Sequence, residues 1–191
     1  VEAVAKHMRL SGVEARLTMP WNALEAAPEV SQLPSVKTID RWNWFAEPGL
    51  TSDELESFSR SQTNQPSEAW LTLEPLDRSR YSLSDRVRDL AQRLVSVHQY
   101  QWKTAWITDP QAPVAGILEP DGGPRELLLP LIHLTRFLNQ SEDFIPVRLD
   151  ARMVGTMFRV GEEDRMLLIA DRPQEVGVYL GDRWSATDIW G

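Results

Sequence analysis

Cysteine is absent from the chain, and with it go disulfides, thiolate catalysis and cysteine-ligated zinc or iron–sulfur centres. Histidine is scarce: only His7, His98 and His133 offer an imidazole as a base near neutral pH or as a nitrogen ligand. Lysine occurs only at positions 6, 37 and 103, which leaves 17 of the 20 basic residues as arginine. Arginine is the cation suited to bidentate carboxylate pairing and to interfaces, although a GC-rich genome produces the same bias. Positive charge is in deficit overall, with a formal net charge of -8. A phosphate backbone or an anionic lipid surface needs a basic footprint, so nucleic-acid and membrane-surface binding are disfavoured.

Long apolar runs are also missing. No stretch approaches the ~20 residues that cross a bilayer, and "VEAVAKHMRL" lacks the basic-then-apolar layout of a signal peptide. The expectation is a soluble, cytoplasmic protein; the chain opens on Val1 rather than Met, which leaves room for a preceding segment and any targeting signal in it. Nor is there a Walker loop, a dinucleotide fingerprint, HExxH, G-x-S-x-G or EF-hand spacing. The Gly122-Gly123 pair is followed by Pro124 and strand-like residues, unlike a phosphate cradle. No cofactor, metal site or catalytic residue is therefore expected.

What remains is a globular composition, 42% hydrophobic and 25% charged with eight tryptophans, in a length that fits one main core. "GVEARLTM" alternates Val13, Ala15, Leu17 and Met19 with polar residues and predicts a strand over 13–19. "PWNALEAAPE" predicts one or two helical turns between Pro20 and Pro28. The box Thr51-x-x-Glu54 starts a helix with Leu55 and Phe58 inward. Residues 59–68 are polar throughout and form the best boundary, between a smaller N-terminal α/β portion, 1–66, and a main domain, 67–191. "AWLTLEP" reads as a short strand ended by Pro75.

The strongest element is a helix over about 84–99. Val87, Leu90, Ala91, Leu94, Val97 and His98 share a stripe, Arg86, Asp89, Arg93 and Ser96 take the opposite side, and Ser84 is the expected N-cap. "QWKTAWITDP" alternates as a strand, "PDGGP" signals a hairpin-type turn, and "LIHLTRFLNQ" a short helix bounded by Pro130 and Asn139. Four strand candidates follow, "PVRLDARM", "GTMFRV", "RMLLIA" and "EVGVYL", with the charged turn "GEED" between the second and third. Helices and strands do not alternate regularly, which argues for an α+β fold, an antiparallel C-terminal meander packed on the long helix, rather than a doubly wound parallel sheet.

Acid pairs occur at Asp53-Glu54-Glu56, Glu142-Asp143 and Glu162-Glu163-Asp164, where a helix N-terminus and a solvated turn account for the first and last. His98 and His133 lie among apolar neighbours and read as core or boundary residues. Tryptophan is in surplus, because a core of this size absorbs about four or five indoles. The ones expected at the surface are Trp21, one of Trp42 and Trp44, Trp184 and Trp190. Tryptophan and arginine dominate interface centres, so Arg41, Trp42, Trp44 and Phe45, with Arg183, Trp184 and Trp190, form the candidate partner-binding set. The leading expectation is a non-catalytic protein-interaction or regulatory module, an accessory subunit or a domain of a larger assembly whose partner is another protein. Alternatives are a carbohydrate-binding module using exposed indoles, with Asp182 and Asp188 flanking Trp184, and a hydrolase built on His98 or His133 with a carboxylate.

Overall fold

The computed structural model describes residues 18–22, 41–61, 68–102, 104–150, 153–170, 175, 177–179, 181–182 and 184–190. Within them a four-stranded sheet, β1 (Thr18–Asn22), β2 (Arg41–Ala46), β3 (Glu68–Leu73) and β4 (Thr104–Ile107), runs in the order β1-β2-β3-β4 with every pair parallel. A second sheet, β5 (Glu142–Asp150), β6 (Met153–Val160) and β7 (Glu163–Ala170), is an antiparallel meander. The described residues also form three helices: α1 (Ser52–Ser61), α2 (Leu83–Gln99) and α3 (Leu128–Leu138). A parallel and an antiparallel sheet together with helices make the class α+β, as expected.

The parallel sheet is the part that alternation analysis did not anticipate. From β2 to β4 each strand is followed by a helix before the next parallel neighbour, because a parallel return needs a crossover. Register places Ala46 beside Leu73 and Leu73 beside Ile107. Ala46, Leu71 and Leu73 are fully buried in one core with Leu55 of α1, Val87, Leu90, Ala91 and Leu94 of α2 and Leu134 and Leu138 of α3. On the opposite face Phe45, Trp70, Thr72 and Thr104 are half-buried, Trp106 is exposed, and all five lie outside that core. The sheet takes β1 and β2 from before the polar stretch 59–68, and β4 from after it.

Local chemistry explains the helix starts. The Thr51 amide and hydroxyl both donate to the Glu54 carboxylate, at 2.7 and 2.8 Å, and the Glu54 amide donates back to Thr51 Oγ1 at 3.3 Å, so α1 begins in the expected box. Leu55 is buried; the Phe58 side chain lies outside the described set. The N-cap of α2 is Ser82, not Ser84: its Oγ accepts from the Asp85 amide at 3.1 Å and donates to Asp85 Oδ2 at 2.6 Å. The acid three residues on decides between the two serines.

The polar side of α2 is the larger correction. Arg86, Asp89, Arg93 and Ser96 are all buried, as are Val87, Leu90 and Leu94. The reason is position: α2 touches β3 and β4, β5 and β7, and both other helices, so it has no broad solvent side. The meander packs on it through Phe144, which stacks on His98 at 5.6 Å and on Phe158 at 5.5 Å, while Phe137 of α3 meets Phe158 edge-on at 5.1 Å. Leu167 and Ile169 of β7 pack against the same core.

Other expectations resolve as follows. The strand over 13–19 is present from Thr18 onward, and 13–17 lie outside the described residues. The helix expected to start at Pro20 does not: Pro20, Trp21 and Asn22 pair with β2, a strand-edge place that proline tolerates. The PDGGP turn closes on an isolated Leu118–Pro124 bridge instead of a hairpin, held by the Glu119 amide donating to the Gly123 carbonyl at 2.7 Å. The charged turn is Gly161-Glu162, with Gly161 at φ 62, and Glu163 and Asp164 already belong to β7. "EVGVYL" forms no strand among its described residues, 175 and 177–179; Gly177 interrupts its alternation and Tyr179 is 88% exposed.

Candidate functional site

The partner-binding set falls into two places. Arg41, Trp42, Trp44 and Phe45 are successive positions of β2, an interior strand, where Trp42 pairs with Met19 and Ala69 and Trp44 with Trp21 and Leu71. They are ladder positions of a strand paired on both sides, not a loop. Phe45 is half-buried, and the side chains of Arg41, Trp42 and Trp44 lie outside the described set, as does that of Trp21. Trp184 is 66% exposed and Trp190 is exposed, its amide donating to Asp188 Oδ1 at 2.9 Å; Arg183 is outside the described residues. Among the described hydrogen bonds and ring contacts none brings Trp184 or Trp190 to β2. Trp102 is buried, whereas Trp106 is 51% exposed beside Trp70, with ring centroids 5.6 Å apart.

A different constellation lies at the carboxyl ends of the parallel strands. β2 is followed by Glu47-Pro48, β3 by Glu74-Pro75 and β4, after Thr108, by Asp109-Pro110. Proline has no amide to continue a ladder, and in each case it stands directly after an acid that lies just past the strand's last residue. Glu47 and Glu74 each follow the paired positions Ala46 and Leu73, one step beyond the last rung. Neighbouring strands lie about 4.8 Å apart, so the last rung, Ala46 with Leu73, delivers the two acids from paired positions on adjacent strands. The two-residue alternation carries Glu47 after Phe45 and Glu74 after Thr72, onto the face that also holds Trp70 and Trp106. Asp109 is used locally, its Oδ1 accepting from the Gln111 amide at 3.2 Å. A fourth copy of the motif, Glu119-Pro120, opens the turn at Asp121-Gly122. The acids were legible as strand–acid–Pro endings, a pattern that reading carboxylates as neighbours in sequence does not reveal.

Helix α2 holds this rim in place. Arg93, fully buried, donates from Nη1 to the Ala46 carbonyl at 3.2 Å and from Nη2 to the Glu74 carbonyl at 2.7 Å, and it pairs with Asp89. Asp89 Oδ1 in turn accepts from the Gly49 amide at 2.9 Å. One buried ion pair thus fixes the backbone at both Glu47 and Glu74. Burial lowers the pKa of the Arg93 guanidinium, and the charges of Asp89 and Glu74 oppose that shift. Two more buried guanidiniums brace the following loops. Arg86 donates to the Leu76 carbonyl at 3.1 Å and pairs with Glu126 at 2.5 Å. Arg125 donates to the Ala112 carbonyl at 2.7 Å and pairs with Glu119 at 3.1 Å. The arginine bias is spent at least partly inside the fold.

The imidazoles stand apart from this rim. His98 stacks on Phe144, and neither His98 nor His133 hydrogen-bonds a carboxylate among the described residues. Partial burial holds the pKa of His98 below its ordinary 6.5. Folding therefore favours the neutral ring, so stability is expected to fall as pH drops through 6.5, where the unfolded chain takes up a proton first. Urea titrations of the wild type and His98→Phe between neutral pH and pH 5 check this: the phenylalanine variant should lose that part of the slope.

Among the described residues no group of three or more His, Asp or Glu is placed to hold a metal ion, and no helix is long and apolar enough to cross a membrane. No family model matches the sequence, and no curated protein matches it. In structure the chain is similar to a family 39 glycoside hydrolase from the gut symbiont Bacteroides cellulosilyticus WH2, with a TM-score of 0.52 and 14% identity over 75% of this chain. The chain spans 36% of that protein's length. What the two share is a fold.

Proposed function

We propose that the chain carries a carbohydrate site on the carboxyl-end rim of its parallel sheet, with Glu47 and Glu74 accepting sugar hydroxyls and the aromatic face of Phe45, Trp70 and Trp106 adjoining them. The observation that carries this reading is the pair of acids set one rung beyond the ladder on adjacent parallel strands, their backbone locked by one buried arginine. In parallel sheets of this kind ligands bind at the carboxyl ends of the strands. Indole faces stack on the apolar face of a sugar ring, and carboxylates spaced a few ångströms apart suit either hydroxyl recognition or glycosidic chemistry. The shared fold with a glycoside hydrolase supports the reading by analogy only, since one fold hosts many activities. Titration against a glycan array and a panel of aryl glycosides tests it. Glu47→Gln and Glu74→Gln should each weaken binding by about 10- to 100-fold, the worth of one hydrogen bond to a charged acceptor. Silence of the wild type on every glycan, or unchanged affinity in both variants, removes the reading.

A protein-interaction role, in which this chain is part of a larger assembly, is favoured by a separate observation. Ile145, Met157 and Leu168 are exposed on the meander, with Ile145 and Met157 paired across β5 and β6. An uncovered apolar sheet face of this kind suits a protein partner.

A further inference from the structure

A strand edge displays a row of unpaired amides and carbonyls, and soluble proteins guard it with charge, proline, bulges or a covering element. Among the described residues, three of the four outer strands follow that rule. β1 contains Pro20. β5 contains Pro146, holds Asp143 at φ 56 and is broken by register shifts at Glu142/Ile145 and Arg148/Asp150. β7 opens with Glu163, Asp164 and Arg165. β4, Thr104-Ala105-Trp106-Ile107, has no charge, no proline and no bulge, and among the described residues it pairs only with β3.

The groups beside that edge are those a strand would meet. The Thr108 amide donates to the Leu73 carbonyl at 3.0 Å. By alternation Thr104 and Trp106 also turn their amides toward β3, which leaves Ala105 and Ile107 directing theirs to the open side. Along it runs a groove of about 380 Å³ walled by Leu94, Val97 and His98 of α2 and by Leu131 and Thr135 of α3. All four β4 residues border this groove, and Trp106 among them is exposed. A strand added here would pair with Ala105 and Ile107 and set one row of side chains in the groove.

We propose that β4 takes up a further β-strand, an extended segment with an apolar residue at every second position, laid parallel to β4 so that it continues the sheet order. Backbone pairing supplies the affinity, and the groove between α2 and α3 selects the apolar alternation. The probe is a synthetic peptide with the sequence of residues 68–75, EAWLTLEP, the segment that already pairs parallel with β4 on its other side. Added to the isotope-labelled chain, it should slow hydrogen exchange at Ala105 and Ile107 by about tenfold or more and leave Thr104 and Trp106 unchanged. A peptide with aspartate at both leucine positions should have no effect, and Ala105→Pro, which deletes one outward amide, should abolish the protection at Ile107. The proposal is overturned by peptide binding without protection at those two amides, by equal effects of both peptides, or by no binding at millimolar peptide. Protection that grows with protein concentration in the absence of peptide would assign the edge to a second copy of the chain and overturn it too.

Discussion

Replacing Arg93 with methionine is expected to cost about 3 to 5 kcal/mol of stability, because it leaves Asp89 as a charge with no cation inside the protein. Methionine keeps most of the side-chain length, so the loss reports electrostatics and hydrogen bonds more than a cavity. Three acceptors lose the guanidinium at once: the Ala46 carbonyl, the Glu74 carbonyl and the Asp89 carboxylate, which keeps the Gly49 amide. In a chain of this size that corresponds to a fall of roughly 10 °C in Tm. Adding Asp89→Leu should restore only part of it, since removing both charges lifts the burial penalty but strands the Gly49 amide. Urea unfolding of the wild type, both single variants and the double variant checks the cycle. A loss below about 1 kcal/mol in Arg93→Met would mean that the pair is hydrated and that the rim is held by something else.

The second large effect is expected at Gly116. A Cβ built there would lie 2.5 Å from the Ala112 carbonyl oxygen, 2.6 Å from the Pro110 carbonyl oxygen and 2.7 Å from the Ala112 amide nitrogen. All three are backbone atoms, and the loop has no slack to give. The Pro110 carbonyl accepts from Ile117 and Leu118 at 2.8 and 2.7 Å, and Arg125 grips the Ala112 carbonyl. Gly116→Ala should therefore cost about 3 kcal/mol, the upper range for forced overpacking. Gly177→Ala meets nothing within 4 Å and serves as the control, expected within about 0.5 kcal/mol of the wild type. Equal stabilities of the two variants in thermal or urea unfolding would show that residues 110–118 can relax around a methyl group.

How much of this was legible beforehand depends on which interactions are local. The α1 box and the body of α2 rest on contacts three or four residues apart, and the meander on hairpin spacing; all three could be read from the chain. The parallel ladder could not. Its strands "TMPWN" and "RWNWFA" lack clean alternation, and each finds its partner across a long crossover. Arg86, Asp89 and Arg93 mislead for a related reason: in sequence a buried ionic row and a solvated helix face are the same letters, and only the packing of two sheets on one helix separates them. Trp106 is not among the indoles expected at the surface, yet it is exposed, because alternation places a side chain on one face of a strand without showing what covers that face. The acid–proline endings were available to inspection, yet they gain meaning only once β2, β3 and β4 are known to lie side by side.

The buried guanidiniums carry one further implication. Because Arg86, Arg93 and Arg125 each donate to main-chain carbonyls besides pairing with Glu126, Asp89 and Glu119, exposed residues that take no part in these contacts can change in identity without loosening the backbone at the two glutamates. Durability is thus encoded at buried positions, which leaves the exposed rim open to change without cost to the framework.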